Sequence, residues 1–436
     1  MLSNINLWCI NQKNFFKMSK FVILTISLLI LTWVFDIKYP YLKTYIPEQM
    51  LLSSEVAVNF LSNISGVFLT ISIFSFTTII TVLNYYSNSI SPRMIQSFID
   101  KTGVLSLFGI FVGGFFYSAL TILLLREIEL EQKVLAGSIG IAYSIITMIG
   151  FIMFSKQVLD NIKISNIIEA EYDECEKLID TEIEQRQKAY RYENDDCMVE
   201  IPILARKTGY IYEIKAANIL EILKDQKAEL VTAKRVGEYT IEGELLATLA
   251  IFDSSNIDQV QKKELAKEIS QAIVINIFNN NEENYHKGLI NLTEIANMAL
   301  SPGTNDPNSA ITCINKISFL LGKLLSADNH FIILDENEQS KIIYQNYSVE
   351  DELYFAFSQI IHYSSGAPLV TTAILQGLYT IYVMAGDQSK TKVRDFFNAS
   401  YDLLIENFSE DIHISKFRHI REKIDQGVSH KQDTKL

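Results

Sequence analysis

Acidic, amide and imidazole side chains gather in one stretch of the second half of the chain. Residues 289–310 have the sequence LINLTEIANMALSPGTNDPNSA, and His286 lies just upstream. Glu294, Asn305, Asp306 and His286 could in principle meet in one site. Their spacing matches no metal motif, however, and the chain contains no P-loop, HExxH or GxSxG. We therefore predict no catalytic residue, no metal and no cofactor.

The same stretch predicts a sharp corner between two helices. Pro disfavours helical geometry in the residue before it, so the first helix should end near Ser301, before Pro302 and Gly303. A second helix should then begin at Asp306 as N-cap, with Pro307 at its first position. Two interpretations remain open: a structural corner, or a ligand site formed by Asp306 and the backbone N–H groups of SPGTNDP.

A second polar pattern lies inside an apolar segment of the first half. From Val56 to Pro92 the chain has no charged residue, yet polar side chains recur there every seven residues. They are Asn63, Thr70, Thr77, Asn84 and Ser91, with Thr81 and Asn88 beside them. On a helix they form one stripe, and polar side chains in a membrane helix face protein or water rather than lipid.

The first hypothesis for this stripe is a hydrated pathway across a membrane. Thr70, Thr77, Thr81 and Asn84 would line it, and Arg93 at its mouth would be a fixed charge that favours anions. The alternative is that the hydroxyls bond back to carbonyls of their own helix, or hold the membrane helices together.

Four apolar segments are long enough to cross a bilayer, at about 21–37, 60–86, 102–125 and 134–156. Small residues in the last two allow close helix contact, either between copies or within one bundle. They are Gly109 and Gly113, then Ala136, Gly140 and Ser144. With both termini inside, seven Lys/Arg flank the inner helix ends and four the outer ends. This bias favours a cytoplasmic soluble part.

The rest of the chain predicts a soluble α+β part. An amphipathic stalk over 161–197 should either pack within the chain or join copies. Residues 198–253 predict a small β module that resembles a biotinyl/lipoyl barrel-sandwich, without its Met-Lys-Met modification site. A mainly helical domain over 254–425 should contain a β-hairpin near 330–345. A disordered tail should follow over 426–436.

Charge and cysteine usage restrict the partners. The chain has 38 basic and 51 acidic side chains, and only ten basic and eight acidic ones lie before residue 161. The soluble part after residue 160 therefore has more acidic than basic side chains. This excess argues against nucleic-acid binding, which needs clustered positive charge. Four cysteines without a CxxC pair indicate a reducing compartment and no disulfide framework.

Three separated segments resemble the domain of unknown function 2254 family of predicted bacterial membrane proteins. They are EIANMALSPGTNDPNSA, SFTTII…SNSISPRMIQSF and YFAFSQIIHYSSGAPLV. The chain departs from the family pattern with Asn279, Asn280 and Asn284 where an Arg-Thr pair and an Asp are usual, and with Ile361 where Arg is common. The resemblance implies four membrane helices and a cytoplasmic domain, and no known activity.

From the residues and the resemblance together we predict a multi-pass protein of the bacterial inner membrane, with both termini cytoplasmic. The favoured function is an oligomeric channel or transporter-like protein for an ion or small solute. The alternative is a membrane-anchored binding or sensory module whose soluble domain recognises a ligand. An enzyme is the third and weakest interpretation.

Overall fold

The computed structural model describes residues 13–90, 104–187, 199–224, 226–252, 258–277, 284–327, 332–336 and 340–432. The chain divides into two compact units between Ile167 and Ile168.

Four long apolar helices form the first unit. α1 (Lys13–Trp33) continues as a π-helical turn over Val34–Lys38, and short 3-10 turns follow. The others are α2 (Ser54–Ser89), α3 (Val104–Leu125) and α4 (Ala136–Ile162). Strands β1 (Leu52–Ser53) and β2 (Lys133–Val134) pair antiparallel before α2 and α4.

The candidate spans in the described part of the chain cover 20–38, 54–88, 106–125 and 136–162 by length and composition. The predicted membrane segments are thus shown as helices, with α2 several residues longer than predicted. At about 1.5 Å per residue, the 35-residue span in α2 is roughly 50 Å long, whereas a bilayer core is about 30 Å thick. α2 is therefore considerably longer than a bilayer core is thick.

Helix α3 packs against each of the other three helices of the first unit. Tyr117 of α3 is fully buried and stacks on Tyr143 of α4, with ring centroids 6.0 Å apart. Its hydroxyl lies 3.1 Å from Thr32 Oγ1 on α1 and donates to the carbonyl of Ala136. One buried aromatic residue thus joins three helices, and its polar end has partners, as a membrane interior requires.

A buried ion pair closes one end of this bundle. The carboxylate of Asp36 accepts hydrogen bonds from the backbone N–H groups of Leu135 (2.8 Å) and Ala136 (2.9 Å) at the start of α4. Lys43 Nζ lies 3.2 Å from Asp36 Oδ1 and donates to the carbonyl of Lys133. Asp36 therefore satisfies N–H groups that no turn of α4 can satisfy, and Lys43 neutralises its charge.

The second unit contains two β-sheets. The strands are β3 (Val199–Leu204), β4 (Gly209–Ile214), β5 (Ala228–Thr232), β6 (Tyr239–Thr240), β7 (Leu245–Ile251), β8 (Ile273–Asn276), β9 (Ile332–Glu336) and β10 (Ser340–Tyr344). The five-stranded sheet has the order β3-β7-β5-β10-β9, in which only β5 and β10 are parallel. The three-stranded antiparallel sheet has the order β6-β4-β8. Buried Ile and Leu side chains from both sheets form a shared core.

The predicted barrel-like module is not confirmed. Within the described residues neither sheet closes on itself, and the strands are not confined to 198–253. β8 and the hairpin β9–β10 join them, so the hairpin predicted near 330–345 extends the β region and does not merely interrupt the helices. The apolar alternation shows where strands form, but pairing of Leu230 with Ile342 depends on contacts far apart in sequence.

The helices of the second unit pack mainly on one another. They are α5 (Ile164–Gln187, which begins just before the unit boundary), α6 (Ala216–Leu223), α7 (Gln259–Ala272), α8 (Tyr285–Leu300), α9 (Pro307–Leu324), α10 (Val349–Tyr363), α11 (Pro368–Met384), α12 (Asp387–Ile405) and α13 (Asp411–Gln432). α13 thus continues into the segment predicted as a disordered tail.

The predicted stalk, as α5, makes contacts within its own chain. Lys323 of α9 lies 3.1 Å from Glu176 and 2.7 Å from Asp180, and Lys316 lies 2.8 Å from Glu169. The pKa of Lys323 is raised above its ordinary value because the Asp180 carboxylate accepts a hydrogen bond from the charged ammonium group. Residues 188–197 of the predicted stalk lie outside the described part.

Candidate functional site

Six polar residues of α2 lie on the face of the helix that the first unit leaves exposed. We call them the polar stripe: Asn63, Thr70, Thr77, Thr81, Asn84 and Asn88, all of which are exposed. Consecutive residues of an α-helix are about 100° apart, so members seven residues apart nearly eclipse one another. The stripe therefore follows the long axis of α2.

The opposite face of α2 holds the helix in the bundle. Leu61, Phe68, Ser75 and Val82 repeat in the same seven-residue register, two positions before the stripe, and each is at most 2% exposed. Two positions correspond to about 200° around a helix. The stripe thus points away from α3 and α4, and it does not hold the four helices of one chain together.

Hydrogen bonds within α2 satisfy only part of the stripe. The hydroxyls of Thr70 and Thr81 donate to the carbonyls of Gly66 and Thr77, both at 2.9 Å. Among the described residues, the side chains of Asn63, Thr77 and Asn84 have no hydrogen-bond partner. A carboxamide that faces lipid without partners is costly, so these groups favour a polar neighbour or water.

The small residues of α3 and α4 make their close contacts inside the chain. A Cβ atom at Gly109 would lie 2.8 Å from the Phe21 ring, and one at Gly113 would lie 2.6 Å from the Tyr143 hydroxyl. A Cβ at Gly140 would lie 2.7 Å from Leu61. Ala136 is buried, and Ser144 bonds back to the Gly140 carbonyl. These residues pack helices within one bundle.

Arg93, which was predicted to lie at the mouth of the pathway, is outside the described residues, as is Ser91. The sequence has no charged residue between Asn63 and Asn88, so the exposed face of α2 carries no charge over that range.

The corner between α8 and α9 is closed by its own hydrogen bonds. Asp306 is the N-cap of α9, where its carboxylate accepts from the Ser309 N–H (3.2 Å) and hydroxyl (2.5 Å). Its own N–H donates to the Ala299 carbonyl, and Asn305 before it has a φ of +46°. The Asp306 carboxylate thus acts as the N-cap of α9. Pro302, Gly303 and Asn305 are exposed, whereas Ser301, Glu294 and Pro307 are half-buried.

A buried polar network, which the sequence analysis did not find, connects α5, α8 and α10. Arg186 of α5 donates through Nε to Glu182 (2.9 Å) and through Nη2 to the Tyr285 hydroxyl (3.3 Å). That hydroxyl donates to Glu352 Oε1 at 2.6 Å, and His286 Nδ1 lies 3.4 Å from Glu352 Oε2. Arg186 and Glu352 are only 2% and 1% exposed.

The charges in this network stabilise one another. The pKa of Arg186 is raised although burial opposes its charge, because the Tyr285 oxygen and the carboxylates of Glu182 and Glu352 favour the guanidinium. Burial, reinforced by Glu352, raises the pKa of Tyr285 well above its ordinary value, so this hydroxyl keeps its proton. A hydroxyl that stays protonated can donate to a buried carboxylate at any physiological pH.

Aromatic rings cover one side of the network. The His286 imidazole stacks on Tyr347 with centroids 4.3 Å apart, and Phe355 meets it edge-on at 5.1 Å. The Arg235 guanidinium also lies 4.3 Å from the Tyr347 ring. His286 is thus a buried core histidine. Within the described ranges, no group of three His, Cys, Asp or Glu side chains is arranged to hold a metal.

Comparisons with known proteins agree with the apolar helices of the first unit. A family model described as "Predicted membrane protein (DUF2254)" matches residues 11–380. Uncharacterized proteins Mb1321c of Mycobacterium bovis and Rv1290c of Mycobacterium tuberculosis are each 23% identical over 341 residues, covering 74% of this chain and 65% of the relative. The chain thus spans less than two thirds of the length of these curated relatives. No solved structure matches it.

Proposed function

We propose that copies of this chain associate through the polar stripe of α2 and enclose a hydrated path. The chain belongs to the DUF2254 family of predicted membrane proteins, and the proposal starts from that membership. The observation that carries this proposal is the pair of opposed faces on α2. The face with Leu61 and Phe68 is buried in the bundle, while the face with Thr70 and Thr77 is exposed along the helix. In a bilayer such a polar face needs protein or water beside it.

A second copy of the chain is the partner that the stripe suits best. Carboxamides and hydroxyls both donate and accept hydrogen bonds, so a stripe of Asn and Thr is complementary to itself. An acidic or basic face would instead need a partner of opposite charge. Copies arranged around an axis would present their stripes to a common space, which gives the uncharged polar groups access to water.

The chemistry of the stripe suggests the solute class. Its side chains are hydroxyls and carboxamides without charge, which can replace part of a hydration shell but cannot strongly select one sign of charge. We propose small ions or small polar solutes as the cargo. The Lys/Arg bias at the helix ends supports an orientation in a bacterial inner membrane with the second unit in the cytoplasm.

Solute flux from liposomes tests this function. Purified wild-type protein, Thr77→Leu and Asn84→Leu would be reconstituted at equal density into vesicles loaded with KCl and a self-quenched dye. We expect the wild type to release solute and both variants to lose at least about nine tenths of that flux, since each removes a polar group from the path. Thr78→Val is the matched control, because Thr78 lies beside the stripe and bonds to its own helix. Equal flux from all four proteins would contradict the proposal.

A further inference from the structure

The polar stripe is interrupted near the middle of α2. Between Thr70 and Thr77 the exposed face carries Ile73 and Phe74, which are 59% and 56% exposed. Each lies three or four residues from both threonines, so the two side chains occupy the same face between them.

The corresponding positions one heptad away are different. One heptad earlier, the same two positions hold Gly66 and Val67, and one heptad later they hold Ile80 and Thr81. Glycine leaves room, and threonine supplies a hydroxyl. Only at 73 and 74 are both side chains large and apolar, so the stripe consists of two polar halves with one apolar break.

We propose that Ile73 and Phe74 form a hydrophobic gate in the path, an inference that depends on the proposed function. Where copies of α2 surround the path, these side chains would make an apolar ring between polar vestibules at Thr70 and Thr77. A narrow apolar ring loses its water and thereby stops ions, although no side chain blocks it completely. Separation of the helices by a small distance would let water return.

Contacts with aromatic rings of the bundle position the Phe74 side chain of this gate. Its ring lies 6.1 Å from that of Phe151 on α4, and Phe151 lies 6.3 Å from Phe111 of α3 and 6.4 Å from Phe154. Phe111 and Phe154 are at most 1% exposed. The gate is therefore supported by the aromatic core of the bundle, so that a shift of α4 relative to α2 would move Phe74.

Substitution of the gate residues should change flux in the direction opposite to that of the stripe substitutions. In the same liposome assay, Ile73→Ser and Phe74→Ser should raise flux at least about tenfold over the wild type, because a hydroxyl keeps the ring wet. Phe74→Trp should lower it. Ile152→Ser, at a 61% exposed position on α4, is the matched control and should leave flux unchanged.

The outcomes separate the gate from the path. Higher flux in both serine variants supports the gate, even where the wild type releases little. Measurable wild-type flux that none of the gate variants changes would overturn the gate and leave the path in place. Absence of flux from the wild type and from both serine variants, with all proteins monodisperse and inserted, would overturn the path as well.

Discussion

Arg186→Ala is expected to destabilise the second unit by about 3–5 kcal/mol, since it leaves the half-buried Glu182 and the buried Glu352 without their cation. Arg186 forms an ion pair with Glu182, and through the Tyr285 hydroxyl it also stabilises Glu352. Such a loss is a large part of the stability of most domains. Adding Glu352→Gln should recover part of it, because the second change removes one of the stranded charges.

The chain contains its own reporters for this experiment. Cys175 and Cys313 are buried in the second unit, and burial raises the pKa of both thiols, that of Cys313 to about 12. A fluorogenic thiol dye should therefore react with them only on unfolding, in a background with Cys9→Ser and Cys197→Ser. Arg421→Ala is the control: its pair with Asp402 is exposed and should be worth at most about 1 kcal/mol. An Arg186→Ala melting curve that matches this control would refute a stabilising role.

Asp36→Ala should have the second largest effect, in the first unit. It removes the acceptor of two N–H groups at the start of α4 and leaves Lys43, which is 8% exposed, without its counter-ion. Breaking a buried pair in this way costs about 3–5 kcal/mol. Asp36→Asn retains one acceptor oxygen and should fall between the wild type and Asp36→Ala.

Unfolding by SDS, followed by helical circular dichroism, measures this effect. Glu48→Ala is the matched control because Glu48 also pairs with a lysine, Lys133, but is well exposed. The Lys133 ammonium lowers the pKa of Glu48 through a hydrogen bond, yet water screens the pair, so the control should unfold like the wild type. If Asp36→Ala unfolds at the same SDS fraction as Glu48→Ala, Asp36 does not stabilise the first unit as assigned.

The membrane helices and the corner could be predicted because their signals are local. An uncharged run with charges at its ends has few structures open to it in a bilayer, and Asp306 before Pro307 matches a helix start. The heptad of polar residues likewise placed Thr70 and Thr77 on one face of α2. What the heptad could not show is the direction of that face, because this depends on how α2 packs against α3 and α4.

The buried network and the sheet order could not be predicted, because they depend on residues far apart in the chain. Arg186 and Tyr285 are 99 positions apart, and Tyr285 and Glu352 are 67. In the sequence each looks like a solvated charge or a core aromatic residue. Likewise, the 198–253 segment contains strands of both sheets, but β10, the parallel neighbour of β5, follows only after three further helices, α7, α8 and α9.

The most direct test of the central claim is labelling of the stripe in native membranes. Thr77→Cys, in the background with Cys9→Ser and Cys197→Ser, would be treated with a water-soluble maleimide and with a short bis-maleimide. Ile152→Cys, at an exposed apolar position on α4, serves as the comparison. We expect the thiol at position 77 to be labelled from water and cross-linked into dimers, and the one at 152 to show neither result. If position 77 is as unreactive as 152 and yields only monomers, the stripe faces lipid and the account is wrong.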